Sequence, residues 1–261
     1  MSNVVLGIDS STQSTKAVAV ELDTGRIVAE GRAPHSGADT QWPEDWWLAL
    51  RDAVSPIREA GLDVAGIAVA GQQHGLVTAN ANGDPVAPAP LWNNVDAAPD
   101  AERLNAEADF AAEVGSRLVA SFTIAKVAHL ARTRPELLPS VEAICLPHDW
   151  LTWKLTGNLV TDRGDASGSG WWSPISESPQ RHLIELAAGV TFASRVRIPE
   201  VLGPDERAGG LTHEAAEFLG LTPGIPVGPG SGDNMGAALG IGAAPGRYVV
   251  SLGTSGTVYA V

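Results

Sequence analysis

The chain begins with three short runs in which apolar residues alternate with small or polar ones, so positions 4–10, 15–22 and 26–33 read as successive strands. Asp23-Thr24-Gly25 supplies the turn between the second and third. From Pro43 the period changes. Trp46, Trp47, Leu50, Val54 and Ile57 recur at helical spacing and predict a helix over 42–59, which Pro56 should kink or shorten. Positions 64–70 form an apolar run of buried-strand length, and 76–79 and 85–91 flank Asn82-Gly83 as a predicted hairpin. Strands followed by a helix and a further strand make an α/β pattern around a mixed sheet.

The middle of the chain is more helical, with candidates at 97–108, 123–134, 148–155 and 180–188 and a strand around Cys145. Segment 164–174 is rich in Gly and Ser and reads as a loop anchored by Trp171-Trp172. From Thr212 a second α/β series follows: a helix to Leu219, a strand at 226–228, a glycine loop, a helix at 234–239 and a closing hairpin.

With 261 residues, 44% of them hydrophobic, the chain can hold one large domain or two small ones. It contains no apolar run of about 18 residues and no charged-then-apolar leader, so neither a membrane span nor a secretion signal is expected. The single cysteine, Cys145, lies in an apolar run. It excludes an internal disulfide, fits a reducing cytoplasm and reads as a buried structural thiol. A net charge of -13 argues against nucleic-acid binding through a basic surface. It leaves nucleotide binding open, because a local nest of N–H groups with Mg²⁺ can override the global field. The six histidines show no metal-ligand spacing, so no zinc site is indicated.

The two ends of the chain repeat one pattern. Val4 to Val18 and Tyr248 to Ala260 each run apolar strand, hydroxyl-rich turn, apolar strand. Laid together, Asp9 faces Ser251, Thr12 faces Thr254 and Thr15 faces Thr257. A single such hairpin is an ordinary cluster of turn formers. Two of them could grip a phosphate chain from both sides through backbone N–H groups and hydroxyls. Ser11, Thr12, Gln13 and Lys16 are the candidates in the first turn, and Gly253, Thr254 and Ser255 in the second. Asp9 would repel phosphate alone and makes sense with Mg²⁺ between them. No Walker-type loop is present.

Gly228-Pro229-Gly230-Ser231-Gly232-Asp233-Asn234 is the other informative stretch. Asp233 reads equally as a helix cap and as a general base that takes a proton from a substrate hydroxyl. Gln72-Gln73-His74-Gly75 follows the buried strand at 64–70, where open α/β sheets bind ligands. Trp92-Asn93-Asn94 adds an aromatic face and two amides. A structural histidine and a packing tryptophan are the plain alternatives; together these segments look like one wall of a polyol pocket.

These residues resemble the FGGY carbohydrate kinases, most closely the xylulokinases. Gly7-Ile8-Asp9-Ser10-Ser11-Thr12-Gln13-Ser14-Thr15-Lys16 is similar to the family's first phosphate loop, and Ser251-Leu252-Gly253-Thr254-Ser255-Gly256 to its second. Gly71-Gln72-Gln73-His74-Gly75 resembles a sugar-contacting segment, and Gly232-Asp233-Asn234 the catalytic-base region. Phe122-Thr123 with Lys126, Pro147-His148-Asp149-Trp150-Leu151, and Thr161-Asp162 followed by Ala166-Ser167 also match family positions. The resemblance implies a ribonuclease-H-like α/β fold of the actin and hexokinase type. It implies an N-terminal sugar-binding kinase domain over 1–246 and, at 247–261, the first hairpin of a C-terminal ATP-binding domain that is otherwise missing. The implied reaction is ATP- and Mg²⁺-dependent phosphorylation of a sugar, D-xylulose to D-xylulose 5-phosphate, with kinases of glycerol, gluconate or a deoxy sugar and a non-catalytic sugar-binding protein as alternatives. Asp233 would be the base, Gln73, His74, Trp92, Asn93 and Asn234 would contact the sugar, and Asp9 would help hold Mg²⁺. Partners would be the sugar and ATP, with no nucleic acid and no membrane; a homodimer is compatible. The chain departs from the family at Asn94, where an aspartate is usual, and at His129, where a tryptophan is usual.

Overall fold

The computed structural model describes residues 3–252 and 256–260. The alternation of the opening runs becomes a meander, β1 (Asn3–Ser10), β2 (Ser14–Glu21) and β3 (Ile27–Pro34), paired antiparallel. The apolar run after the first helix becomes β4 (Asp63–Gly71), which lies parallel to β1. Two short antiparallel strands, β5 (Gly209–Gly210) and β6 (Pro226–Val227), extend the far edge, and β7 (Ser231–Gly232) pairs with the end of β4. The result is a seven-stranded mixed sheet in the order β5-β6-β4-β1-β2-β3.

The period of two sorts the faces. Val4, Leu6 and Ile8 of β1 and Ile67 and Val69 of β4 enter the core, which puts Asp9 on the opposite face. The predicted helix forms as α1 (Pro43–Glu59) and buries Trp46, Leu50, Val54 and Ile57 against the sheet. Pro56 does not shorten it: the helix runs on to Glu59. Behind α1 lies α2 (Pro147–Thr156), and Trp46 meets Trp150 edge-on with centroids 6.4 Å apart. A second apolar cluster, around Leu104, Phe110, Ile124 and Leu183, gathers the helices of the middle region. Cys145 is fully buried and burial pushes its thiol up, as a packing residue requires.

Three expectations are corrected. The Asn82-Gly83 turn forms, but its arms do not pair as a full hairpin. Val77–Ala79 instead pairs with Ala143–Cys145, and Ala89–Pro90 with Thr40–Gln41, so tertiary partners outcompete the local one. Segment 164–174 is not all loop. Arg163–Ser167 is a helical turn, capped by Asp162 accepting the Gly164 and Asp165 N–H groups, and Trp172–Ser173 is a short strand. The glycine loop before Asp233 carries the short strand β7. The closing hairpin forms between Tyr248–Leu252 and Gly256–Ala260; the second-loop candidates Gly253, Thr254 and Ser255 lie outside the described residues. Among the described residues no helix is long and apolar enough to cross a membrane.

Contact between α1 and β3 depends on Gly31. A Cβ there would sit 2.1 Å from the Ala53 carbonyl oxygen and 3.0 Å from Pro56 Cδ. Neither neighbour is a flexible side-chain end, so Gly31→Ala must separate helix and strand. The expected loss is about 1–3 kcal/mol in urea unfolding; wild-type stability would show that this close approach is not needed.

Candidate active site

Three chain segments end side by side. Asp9 pairs with Ala70 and Ser10 with Gly71 across the parallel β1–β4 register, while Ser231 and Gly232 pair with the same two β4 residues from the other side. The carboxyl ends of parallel strands in open α/β sheets are where ligands bind. The arrangement delivers Asp9 and Asp233 to one place, with the Gln73 side chain packed against Gly232 beside them. A cleft of about 890 Å³ opens there, lined by Asp9, Lys16, Ser231 and Asp233 among others. Gly230 makes the turn at φ +84°, and a Cβ on it would lie 2.7 Å from Val69 O, so only glycine brings the chain in this close.

Asp233 is the first residue of the helix Asp233–Gly240, and its Oδ1 accepts the Asn234 backbone N–H at 2.7 Å. Burial, reinforced by the charges of Asp9 and Asp165, raises its pKa to about 6. It is therefore a carboxylate of enhanced basicity that is still ionised at neutral pH. Asp9 is exposed and its Oδ1 accepts the Ser11 hydroxyl at 2.7 Å. An exposed carboxylate in the same cleft as Asp233 is a hard oxygen donor of the kind Mg²⁺ takes.

The first turn is braced from the core. Trp46 Nε1 donates to Gln41 Oε1 (2.6 Å), and Gln41 Nε2 donates to the Thr12 carbonyl (2.8 Å). Trp92 Nε1 donates to Thr12 Oγ1 (2.8 Å), and the His35 N–H donates to the Gln13 carbonyl. Trp92 thus joins the polyol wall to the phosphate-loop candidate. Lys16 lines the cleft, but its Nζ lies 3.0 Å from Glu30 Oε2. Asn93 donates instead to the Ala38 carbonyl on the surface.

Gln73 and Asn234 come together: Asn234 Nδ2 donates to Gln73 Oε1 at 3.0 Å. His74 adopts φ +62°, a strained position for a non-glycine residue that clusters at functional sites. It is held by four contacts. Its carbonyl accepts from Lys126 Nζ (3.0 Å) and Thr123 Oγ1 (3.3 Å), and its ring stacks on Phe122. Its Nδ1 lies 3.0 Å from the Gly168 carbonyl. A carbonyl only accepts, so Nδ1 carries the proton. Burial lowers the ring's pKa, which leaves Nε2 as an acceptor in the neutral form. Lys126 is itself buried, and burial lowers its pKa to about 7.

The family departures have local partners. His129 Nδ1 lies 3.2 Å from Asp100 Oδ2, beside the Asp100–Arg132 ion pair. Asn94 is buried and its Nδ2 donates to Asp39 Oδ2 (3.1 Å) and Asp96 Oδ2 (3.2 Å).

A buried charged cluster beneath Gln73 is unassigned by sequence reasoning: His148 with Asp149, Asp162 and Asp165. The resemblance includes positions 148, 149 and 162 but attaches no role to them, and Asp165 sits in the segment read as loop. Its one sequence signal is three carboxylates beside a histidine on otherwise apolar or capping segments.

The family model described as FGGY family of carbohydrate kinases, N-terminal domain, matches residues 4–240. The chain belongs to the FGGY family of carbohydrate kinases. It is 47% identical to the xylulose kinase of Streptomyces rubiginosus over 266 aligned positions, covering 99% of this chain and 54% of that protein. The crystal structure of the xylulose kinase from Bifidobacterium adolescentis matches at 36% identity with a TM-score of 0.89, covering 99% of this chain and 59% of that one. Plasmodium falciparum glycerol kinase shares the fold at 19% identity, with a TM-score of 0.86 and coverage of 98% and 54%. The FGGY chain spans about half the length of the curated relatives it matches. The mixed sheet flanked by helices is the expected actin- and hexokinase-like ATPase fold.

Because one amide serves two carboxylates at Asn94, restoring the usual FGGY aspartate should weaken the chain. Asn94→Asp would place a third carboxylate against Asp39 and Asp96 and remove both donors. The expected loss at pH 7 is about 1–3 kcal/mol, read from urea unfolding; a wild-type unfolding curve would rule out the need for the amide.

Proposed function

We propose that this chain is the sugar-binding half of an ATP-dependent kinase that phosphorylates D-xylulose to D-xylulose 5-phosphate in the cytoplasm. The observation that carries the reading is the junction of Asp233 with Asp9 in one cleft, Asp233 being a base tuned to about 6. The match to proteins named xylulose kinase, at higher identity than to the gluconate and glycerol kinases, supports xylulose as the sugar.

In this reading Asp233 removes the proton from a sugar hydroxyl as the oxygen attacks the γ-phosphorus of ATP. The new O–P bond forms as the bond to the β-phosphate oxygen breaks, and ADP leaves. Asp9 would hold Mg²⁺, which would neutralise charge on the phosphates. Ser11, Thr12 and Gln13 would offer the first phosphate turn. Gly253, Thr254 and Ser255 would offer the second, at the start of a nucleotide-binding domain that begins near residue 247. His74, with Nε2 as acceptor, and Asn234 would meet sugar hydroxyls; Gln73 orients Asn234, and Trp92 contributes its aromatic face.

Two measurements test this. Calorimetric titration of the chain should show D-xylulose binding more tightly than glycerol or gluconate; preference for either of those would reassign the substrate. In a kinase carrying both halves, Asp233→Ala should reduce kcat by ~10²–10⁴, and kcat/KM should fall as pH drops through about 6, where the base takes up its proton.

A stability measurement checks the tuning separately. The folded pKa of Asp233 lies above its ordinary 3.8, so the wild type loses stability as pH rises from about 4 to about 6. Asp233→Asn lacks that loss. It should be more stable than wild type by ~1–3 kcal/mol at pH 7 and gain nothing below about pH 4. An equal gain at both pH values would remove the charge explanation.

A further inference from the structure

His148 is the second residue of α2 and is fully buried. Its Nε2 lies 3.0 Å from Asp165 Oδ2, 3.2 Å from Asp149 Oδ1 and 3.3 Å from Asp162 Oδ1. The three carboxylates come from α2, from the end of strand Val160–Asp162 and from the helical turn Arg163–Ser167. Each is anchored elsewhere. Asp149 Oδ2 accepts the Leu146 N–H (2.8 Å), Asp162 caps the turn, and Asp165 Oδ1 accepts from Gln73 Nε2 (3.2 Å). Asp165 Oδ2, Asp149 Oδ1 and both ring nitrogens of His148 are buried without a hydrogen bond of good geometry, so ring and carboxylates meet through charge at these distances. Gly71 of β4 and Gly230 also pack closely on His148. Buried carboxylates without a cation would cost several kcal/mol. Burial works against a charge on His148, but Asp149, Asp162 and Asp165 outweigh it and hold its pKa well above the usual value, while burial raises Asp149 itself to about 7.

The consequence reaches the sugar site. A carboxylate can only accept, so Gln73 must present its NH₂ to Asp165. Its carbonyl oxygen then faces Asn234, which must donate through Nδ2. Asn234 Oδ1 is left as the free acceptor. Were Asp165 protonated, Gln73 could turn over and Asn234 would show a donor instead. The direction of two amides therefore depends on Asp165 serving only as an acceptor.

We propose that His148 is a positioning residue whose imidazolium, facing three carboxylates, holds Asp165 as an acceptor for Gln73 and so makes Asn234 present a hydrogen-bond acceptor to the sugar. This rests on the sugar-kinase reading for the identity of the guest, but the relay itself is independent of it.

The test uses the 261-residue chain. Nitrogen-15 NMR of the wild type should show both His148 nitrogens protonated from about pH 6 to about pH 8. A neutral ring in that range, or a signal that changes when EDTA strips a divalent ion, overturns the proposal. His148→Gln should weaken D-xylulose binding roughly tenfold or more, and His148→Lys, which keeps the cation, should restore it to within about threefold. Unchanged affinity in His148→Gln, or no rescue in a folded His148→Lys, also overturns it. If His148→Gln does not fold, Asp165→Asn serves. It leaves the histidine in place and frees Gln73 to turn, so it should shift the Gln73 and Asn234 side-chain amide resonances and weaken binding; unmoved resonances count against the relay. Should the wild type bind no xylulose while the imidazole is charged and the amides respond, the substrate reading fails and the relay stands.

Discussion

The site exists because β1 and β4 run parallel and in a register that ends both strands together. Asp9 and Ala70 are paired, and the chain re-enters beside them at Ser231. The carboxyl ends of these central strands, one edge of the sheet's length, therefore collect a carboxylate from the first hairpin, the Gln73–His74 corner and the helix that starts at Asp233. The same register fixes which face each residue occupies. A slip of one residue in β1 would bury Asp9 and expose Leu6 and Ile8, so the core holds the chemistry in place. Trp46 makes the coupling concrete: its ring is core, and its N–H steadies the turn at Thr12 through Gln41.

Burial then does two kinds of electrostatic work around that edge. At Asp233 it raises a carboxylate's pKa and leaves it partly reachable, the balance a base needs. One layer deeper, His148, Asp149 and Asp165 are fully buried beside the partly exposed Asp162, and charge has to be met by charge. Asp165 belongs to both layers. It raises the pKa of Asp233 and accepts from Gln73, so the proposed base and the proposed amide relay share one anchor.

The sheet strands, α1 and the change of period at Pro43 were legible in the sequence because they follow from local alternation. Asp9, Asp233 and the Gln73–His74 corner were legible because glycine-rich turns at strand ends mark ligand positions, and the family resemblance fixed their order. What stayed hidden depends on distant partners. Val77–Ala79 leaves its local hairpin for Ala143–Cys145, a choice no short window contains. The helical turn at Arg163–Ser167 is made by the Asp162 cap rather than by apolar spacing, so its Gly and Ser content read as loop. His148 and Asp165 looked like ordinary polar residues, since sequence shows charge but not burial. The Asn94 departure suggested a lost carboxylate; in the fold it is an amide that reconciles two others.

Charge around the cleft also bears on how a polyphosphate could enter it. Asp9, Asp162 and Asp233 line the walls, in a chain whose net charge is already -13. The two cations on the same walls are both engaged: Lys16 pairs with Glu30 and Arg163 with Glu177. Those pairs are exposed and weak, yet each cancels the point charge that would have drawn phosphate in. On the proposed reading the attraction would come from backbone N–H groups of the braced first turn and from a cation that the carboxylates would recruit. An acidic cleft is thus consistent with an anionic guest, provided the guest arrives with its own counter-ion, and Asp9 is the wall residue whose carboxylate is exposed enough to receive it.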